Sequence, residues 1–187
     1  MVKYVRAELI TAVGYTDKKI EPRTNKEIHQ RRADIFFTDK TNNTKHIHYY
    51  TDDTIGHPLC KSHITNEIKD LAAQATIKTV ENDKEKQYAE FVKKANNHPA
   101  VVAKARIIKY RTTAFTSLGE MGEGAVKFFN GCISHQKTQL IKEVRRRPRA
   151  DGLSPKEITA KTRFKYRVLI QFAIAQGNAA IATSVGF

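Results

Sequence analysis

Acidic residues are outnumbered in this chain, so the places where they gather are informative. Between Glu21 and His57, Asp34, Asp52 and Asp53 punctuate runs that are otherwise apolar and basic. Arg32 to Phe37 has the composition of a strand, the Thr, Asn and Asp residues from Thr38 to Lys45 suit a turn, and His46 to Ile55 reads as the returning strand. A β-hairpin of this kind brings Asp34 near Asp52 or Asp53. Two carboxylates converging at one end of a sheet can bind a hard divalent cation, and a cation held against phosphate suits phosphodiester hydrolysis.

Charge points the same way. The 187 residues carry a net +14, an excess whose field attracts polyanions, of which nucleic acid is the commonest. The length fits one domain with a sizeable core. Cys60 and Cys132 lie far apart and in no CxxC pattern, which argues against a disulfide framework or a cysteine-based zinc site and makes a reducing compartment the default. No apolar run approaches a membrane span, and the N-terminus lacks the apolar stretch of a signal peptide. His46 and His48, two apart on a strand, would share a face as two metal ligands need. With no matching pair at finger spacing, they read better as polar strand-face residues.

The elements that must position the acids follow from periodicity. Val5, Leu9, Ile10 and Val13 recur at helical spacing and Gly14 can stop that helix, on which Glu8 is read as a solvated face residue; Tyr15 to Glu21 would be the first strand. A long helix is expected from Ser62 to about Asn96, capped by Ser62 or Thr65, with a densely charged middle at Glu81 to Lys86. Ala105 to Thr116 reads as a strand covered on both faces, and Gly119, Gly122 and Gly124 as a sharp turn into a helix containing Ala125, Val126, Phe129, Ile133 and Leu140. From Ile141 to Ala173 ten Lys or Arg stand against three acids. Pro148 and Gly152 mark a linker, Ser154-Pro155-Lys156-Glu157 has the form of a capping box, and Arg163, Lys165 and Arg167 interleave with Phe164, Tyr166 and Phe172 in the last helix. Arg145 to Arg149 also suits a nuclear-localisation signal.

Read as a series, Glu21-Pro22, Arg32-Ala33-Asp34-Ile35 and Asp52-Asp53-Thr54-Ile55-Gly56-His57-Pro58-Leu59 resemble the restriction-like endonuclease domain at the C-terminal end of certain non-LTR retrotransposon reverse transcriptases. Glu81 to Tyr88, Thr116 to Gly122 and Gln176-Gly177-Asn178-Ala179 extend the resemblance over most of the chain. It implies a PD-(D/E)xK-like fold in which Asp34 and Asp52, or Asp53, hold Mg²⁺ and Glu21 assists. In that wider fold a Lys stands two residues after the second acid. Thr54 occupies that place here, and the resemblance offers Lys84 or Lys86, about one turn before Tyr88, as the substitute. Ala33 stands where these domains have Pro, and Asp53 where they have Val.

The expectation is therefore an α/β domain with a small mixed sheet flanked by helices, residues 1–141 forming the restriction-endonuclease-like core and 142–187 a basic linker and C-terminal helix packed on it. Its function would be Mg²⁺-dependent DNA endonuclease activity of retroelement origin, inside the cell in the nucleus or an organelle. The alternative is an eroded nuclease fold serving as a basic RNA- or DNA-binding subunit of a larger nucleoprotein assembly. Nucleic acid, DNA ahead of RNA, would be gripped by Arg145, Arg146, Arg147, Arg149, Arg163, Lys165 and Arg167. Neutralising Arg145, Arg146, Arg147 and Arg149 together should flatten the slope of log binding constant against log salt by roughly 3 to 4, at about 0.9 for each phosphate that is no longer neutralised. An unchanged slope in a fluorescence titration would show that these arginines meet no phosphate.

Overall fold

The computed structural model describes residues 1–21, 33–40, 46–56, 72–104, 106–147 and 151–184. Pro22, Arg32, Cys60, the His57-Pro58 motif, the helix starts expected at Ser62 or Thr65, and Arg149 lie outside the described residues. The chain runs α1 (Val2–Ala12), β1 (Thr16–Ile20), β2 (Ile35–Asp39), β3 (His46–Gly56), α2 (Ala72–Asn97), α3 (Pro99–Val102), β4 (Arg106–Thr116), α4 (Glu123–Arg146) and α5 (Pro155–Ser184). Four strands form one mixed sheet in the order β1-β2-β3-β4, flanked by helices, and the expected α/β class is what the structure shows.

The first three strands are an antiparallel meander, and β4 lies parallel to β3 along its whole length, from His46 beside Arg106 to Gly56 beside Thr116. A parallel neighbour cannot be reached by a tight turn, so the chain crosses over one face of the sheet, and α2 is that crossover. Helix α1 ends where expected: Gly14 takes φ +89°, a left-handed conformation that side chains resist. Ser154 and Glu157 form the reciprocal box that starts α5, with Glu157 N–H donating to Ser154 Oγ at 3.3 Å and Ser154 N–H to Glu157 Oε2 at 2.8 Å.

Strand alternation gives the sheet two different faces. Towards α1, α4 and α5 point Ile35, Phe37, Tyr49 and Phe115, which join Leu9, Ile10, Phe129, Cys132, Tyr166 and Ile170 in the main apolar layers. Towards α2 point Tyr50 and Tyr110, against Phe91 and Tyr88. The α2 residues that meet this face, Ile77, Glu81, Lys84, Tyr88, Phe91 and Ala95, recur at steps of four and three.

The expected boundary at residues 141 and 142 falls inside α4, which continues to Arg146. Helix α5 packs on the core, since Tyr166, Ile170, Ala173 and Ile174 belong to the same buried cluster as Leu9 and Phe115. The capping box starts α5 correctly, but the apolar face behind it needs α1 and α4 to cover it.

The glycines at the start of α4 serve close approach. A Cβ on Gly124 would run into the Thr112 carbonyl oxygen, a backbone atom that cannot step aside, while a Cβ on Gly131 of the same helix meets nothing within 4 Å. Gly124→Ala should therefore destabilise the fold by about 1–3 kcal/mol through overpacking, whereas Gly131→Ala should stabilise it by about 0.5–1 kcal/mol through helix propensity. Urea titration of the two variants checks the opposite signs.

Candidate active site

Consecutive residues of a strand face opposite ways, and this separates the two acids of β3. Asp53 points to the α1 side. There its Oδ1 accepts from the Thr113 hydroxyl at 2.5 Å and pairs with the guanidinium of Arg6, which is fully buried and lies 4.4 Å from the Phe128 ring centroid. Burial lowers the Arg6 pKa to about 10, still well above neutrality. Asp53, one of the expected catalytic carboxylates, is thus a partner of a buried cation and is turned away from the site.

Asp52 points to the α2 side, 7% exposed, with the Lys84 ammonium 2.7 Å from its Oδ2. Asp34 stands just before β2. Its N–H donates to Thr51 O at 3.0 Å, its carbonyl accepts from Glu21 N–H at 2.7 Å, and its Oδ2 accepts from Asp53 N–H at 2.7 Å. That last bond uses the Asp53 backbone and fixes the Asp34 carboxylate at the end of the hairpin, within hydrogen-bonding reach of Asp52. Burial raises the Asp52 pKa, Asp34 raises it further by hydrogen bond and repulsion, and Lys84 opposes both.

The structure therefore brings together Asp34, Asp52 and Lys84. Lys86 lies on the exposed side of α2, because residues two apart on a helix are about 200° apart. Glu21 is joined to Asp34 through its backbone, but its carboxylate pairs with Lys3 on α1. His48 shares a hydrogen bond with Thr38 at 3.1 Å, and burial lowers its pKa. Among the described residues no group of three His, Cys, Asp or Glu gathers as a metal centre. Two carboxylates are nonetheless enough for Mg²⁺, which keeps several waters and takes the rest of its shell from substrate phosphate.

Two residues of the site went unrecognised in the sequence. Glu81 is 8% exposed and accepts from Gly124 N–H at 2.9 Å, anchoring α2 one turn before Lys84 to the start of α4. Tyr110 stacks on Tyr88 with ring centroids 3.8 Å apart, and burial, with Asp52 nearby, raises its pKa. The signal was present: stepping back by three and four from Phe91 and Tyr88 reaches Lys84, Glu81 and Ile77, which puts two charged residues on a helix face that is otherwise buried.

The basic residues divide. Arg145 and Arg146, at the end of α4, and Arg147 after it are exposed. Arg163 and Arg167 line a cleft of about 640 Å³ with Ile77, Leu118, Asn130 and Gln171. Lys165 instead turns to Glu8 at 3.4 Å, and Tyr166 OH reaches the same carboxylate at 3.2 Å, so both tie α5 to α1.

Because Asp52 binds its proton more tightly folded than unfolded, its stabilising contribution is present below the unfolded pKa and is lost as pH rises through the folded value. Asp34→Asn should lower the Asp52 pKa, and Lys84→Met should raise it further. Carboxyl-carbon NMR titration reads both shifts without any activity, and an Asp52 titration indifferent to Asp34 would show that the two carboxylates do not meet. Compared with protein-family models and with curated proteins, the chain finds no match, so its function has to be read from this geometry.

Proposed function

We propose that the chain is a metal-dependent nuclease domain of restriction-endonuclease-like type, cleaving phosphodiester bonds in DNA. The observation that carries the reading is the convergence at the end of the hairpin of Asp34, held by the Asp53 N–H, and the buried Asp52, with Lys84 on Asp52. The sheet order supports it, since a three-stranded meander extended by a parallel strand through a helical crossover suits the expected fold. A retroelement origin, and DNA rather than RNA as substrate, rest on the sequence resemblance alone.

In this reading Asp34 and Asp52 hold Mg²⁺, whose contribution when bound is to acidify a water and to neutralise charge on the phosphate. Asp34 is oriented for this by the Asp53 N–H, and Asp52 by Lys84. Lys84 also takes the part of the lysine absent at Thr54, arriving from α2 instead of from β3. Its ammonium offsets the negative charge that grows on the phosphoryl oxygens in the transition state. Because Asp52 must be ionised to hold the cation and its pKa is raised, activity should fall on the acid side at a higher pH than an ordinary carboxylate would give.

The test is nicking of supercoiled plasmid with Mg²⁺. Asp34→Asn, Asp52→Asn and Lys84→Ala should each lower the rate by about 10²- to 10³-fold while duplex affinity changes little. Lys86→Ala should match the wild type. A wild-type chain that binds DNA and never cuts it with Mg²⁺ or Mn²⁺ would overturn the nuclease reading and leave a nucleic-acid-binding module.

A further inference from the structure

The outward face of α5 is not built like a solvated helix face. Phe164 is 73% exposed, Val168 49% and Phe172 59%, and at steps of four they make one apolar stripe. Beside it, at about 100° per residue, runs the row Arg163, Arg167 and Gln171, which walls the cleft described above. Neither arginine has an ion-pair partner among the described residues. From Ile158 to Phe187 the sequence contains no acidic residue at all.

We infer that this face binds an unpaired nucleic-acid strand, with bases stacked on Phe164 and Phe172 and phosphates on Arg163 and Arg167. The chemistry distinguishes it from other occupants. A second copy of the chain would bring another +14 against a cationic face. A duplex can satisfy the arginines, but its bases are already stacked on one another and leave the two rings in water. A single strand offers both a free π-face at every base and a charge at every phosphate. The two phenylalanines are about 12 Å apart along the helix at about 1.5 Å per residue, so a strand touching both covers roughly three or four nucleotides at about 3.4 Å each.

Position joins this surface to the carboxylates. The cleft is bounded on its α2 side by Ile77, seven residues and about 10 Å from Lys84 along the same helix. Gln171 and Asn178 of α5 donate to the carbonyls of Gly119 and Ser117 at 2.5 Å each, which holds the opposite wall in place. A strand lying on α5 can thus continue to Asp34 and Asp52. The inference rests on nucleic acid being the substrate of that site, and not on cutting.

The experiment is fluorescence anisotropy in EDTA with a labelled oligothymidylate of about 16 nucleotides, the upper end of single-strand site sizes, and with a fully paired hairpin of matching length. Phe164→Ala and Phe172→Ala should each weaken oligothymidylate binding by about 5- to 150-fold, the range for removal of one stacked base. Hairpin binding should stay as in the wild type. Phe164→Leu and Phe172→Leu, which keep apolar area and lack the π-face, should weaken it nearly as much. Leucine variants that bind like the wild type, equal losses on strand and hairpin, or a dimer in light scattering that disappears with the alanine variants would each overturn the inference. No cleavage occurs in EDTA, so a wild type that never nicks plasmid yet shows this phenylalanine-dependent binding would defeat only the nuclease reading.

Discussion

Two aspartates side by side in a central strand impose a constraint that much of the molecule answers. Their side chains must leave β3 on opposite faces, so each face has to supply a cation where the rest of the packing is apolar. On one face Arg6 reaches Asp53 from α1, with its guanidinium fully buried. Removing one partner of such a pair typically costs about 3–5 kcal/mol, and Arg6 also covers Phe128 in the layer between the sheet and α4. On the other face Lys84 reaches Asp52 from α2 while remaining about a third exposed. The first pair is sealed and structural. The second stays open to solvent at one end.

The open pair depends on how α2 is held. Tyr88 stacks on Tyr110, Phe91 meets Tyr50 edge-on, and Asn96 exchanges two hydrogen bonds with the Ile108 backbone, at 2.8 and 2.9 Å. Glu81 adds a second anchor, earlier in the helix, by accepting the Gly124 N–H at the start of α4. The contact exists because Gly122 and Gly124 leave room for it; a side chain on Gly122 would meet Glu81 and Ile77. Lys84, one turn on, then reaches Asp52 by the geometry of the helix. The run Gly119 to Gly124 resembles a phosphate-binding loop only in its glycine content. Its physical use is to bring two helices and a strand end within van der Waals contact.

The hairpin, the strand that ends at Thr116, the stop at Gly14 and the capping box at Ser154 were legible in the sequence because each is a local pattern with a local cause. The pairing of Asp34 with the end of β3 could be read as far as Asp52 or Asp53 and no further. Choosing between them requires knowing which face carries α2, and that is a property of the crossover. Lys84 over Lys86 is decided in the same way, by the rotation of α2, and Phe91 and Tyr88 held that information in their spacing. Arg6 gave no signal, since a lone arginine on an amphipathic helix is ordinarily solvated and its partner stands 47 positions along the chain. The arginines at the end of α4 look like a linker by composition, while the helix that carries them runs on to Arg146.

The site is left electrostatically incomplete by its own construction. Asp34 and Asp52 repel each other in a place where burial already penalises charge, and Lys84 offsets only part of that, which is why the Asp52 pKa remains raised. Such an arrangement is relieved by a proton at low pH or by a cation at neutral pH, and the second relief is available only if the cation can come in from the solvent side of Lys84. Asp53, on the other face, is paired instead with a buried guanidinium. Two adjacent aspartates thus sit in opposite settings, one paired with a sealed guanidinium and the other beside a second carboxylate with only a partly exposed lysine to offset it.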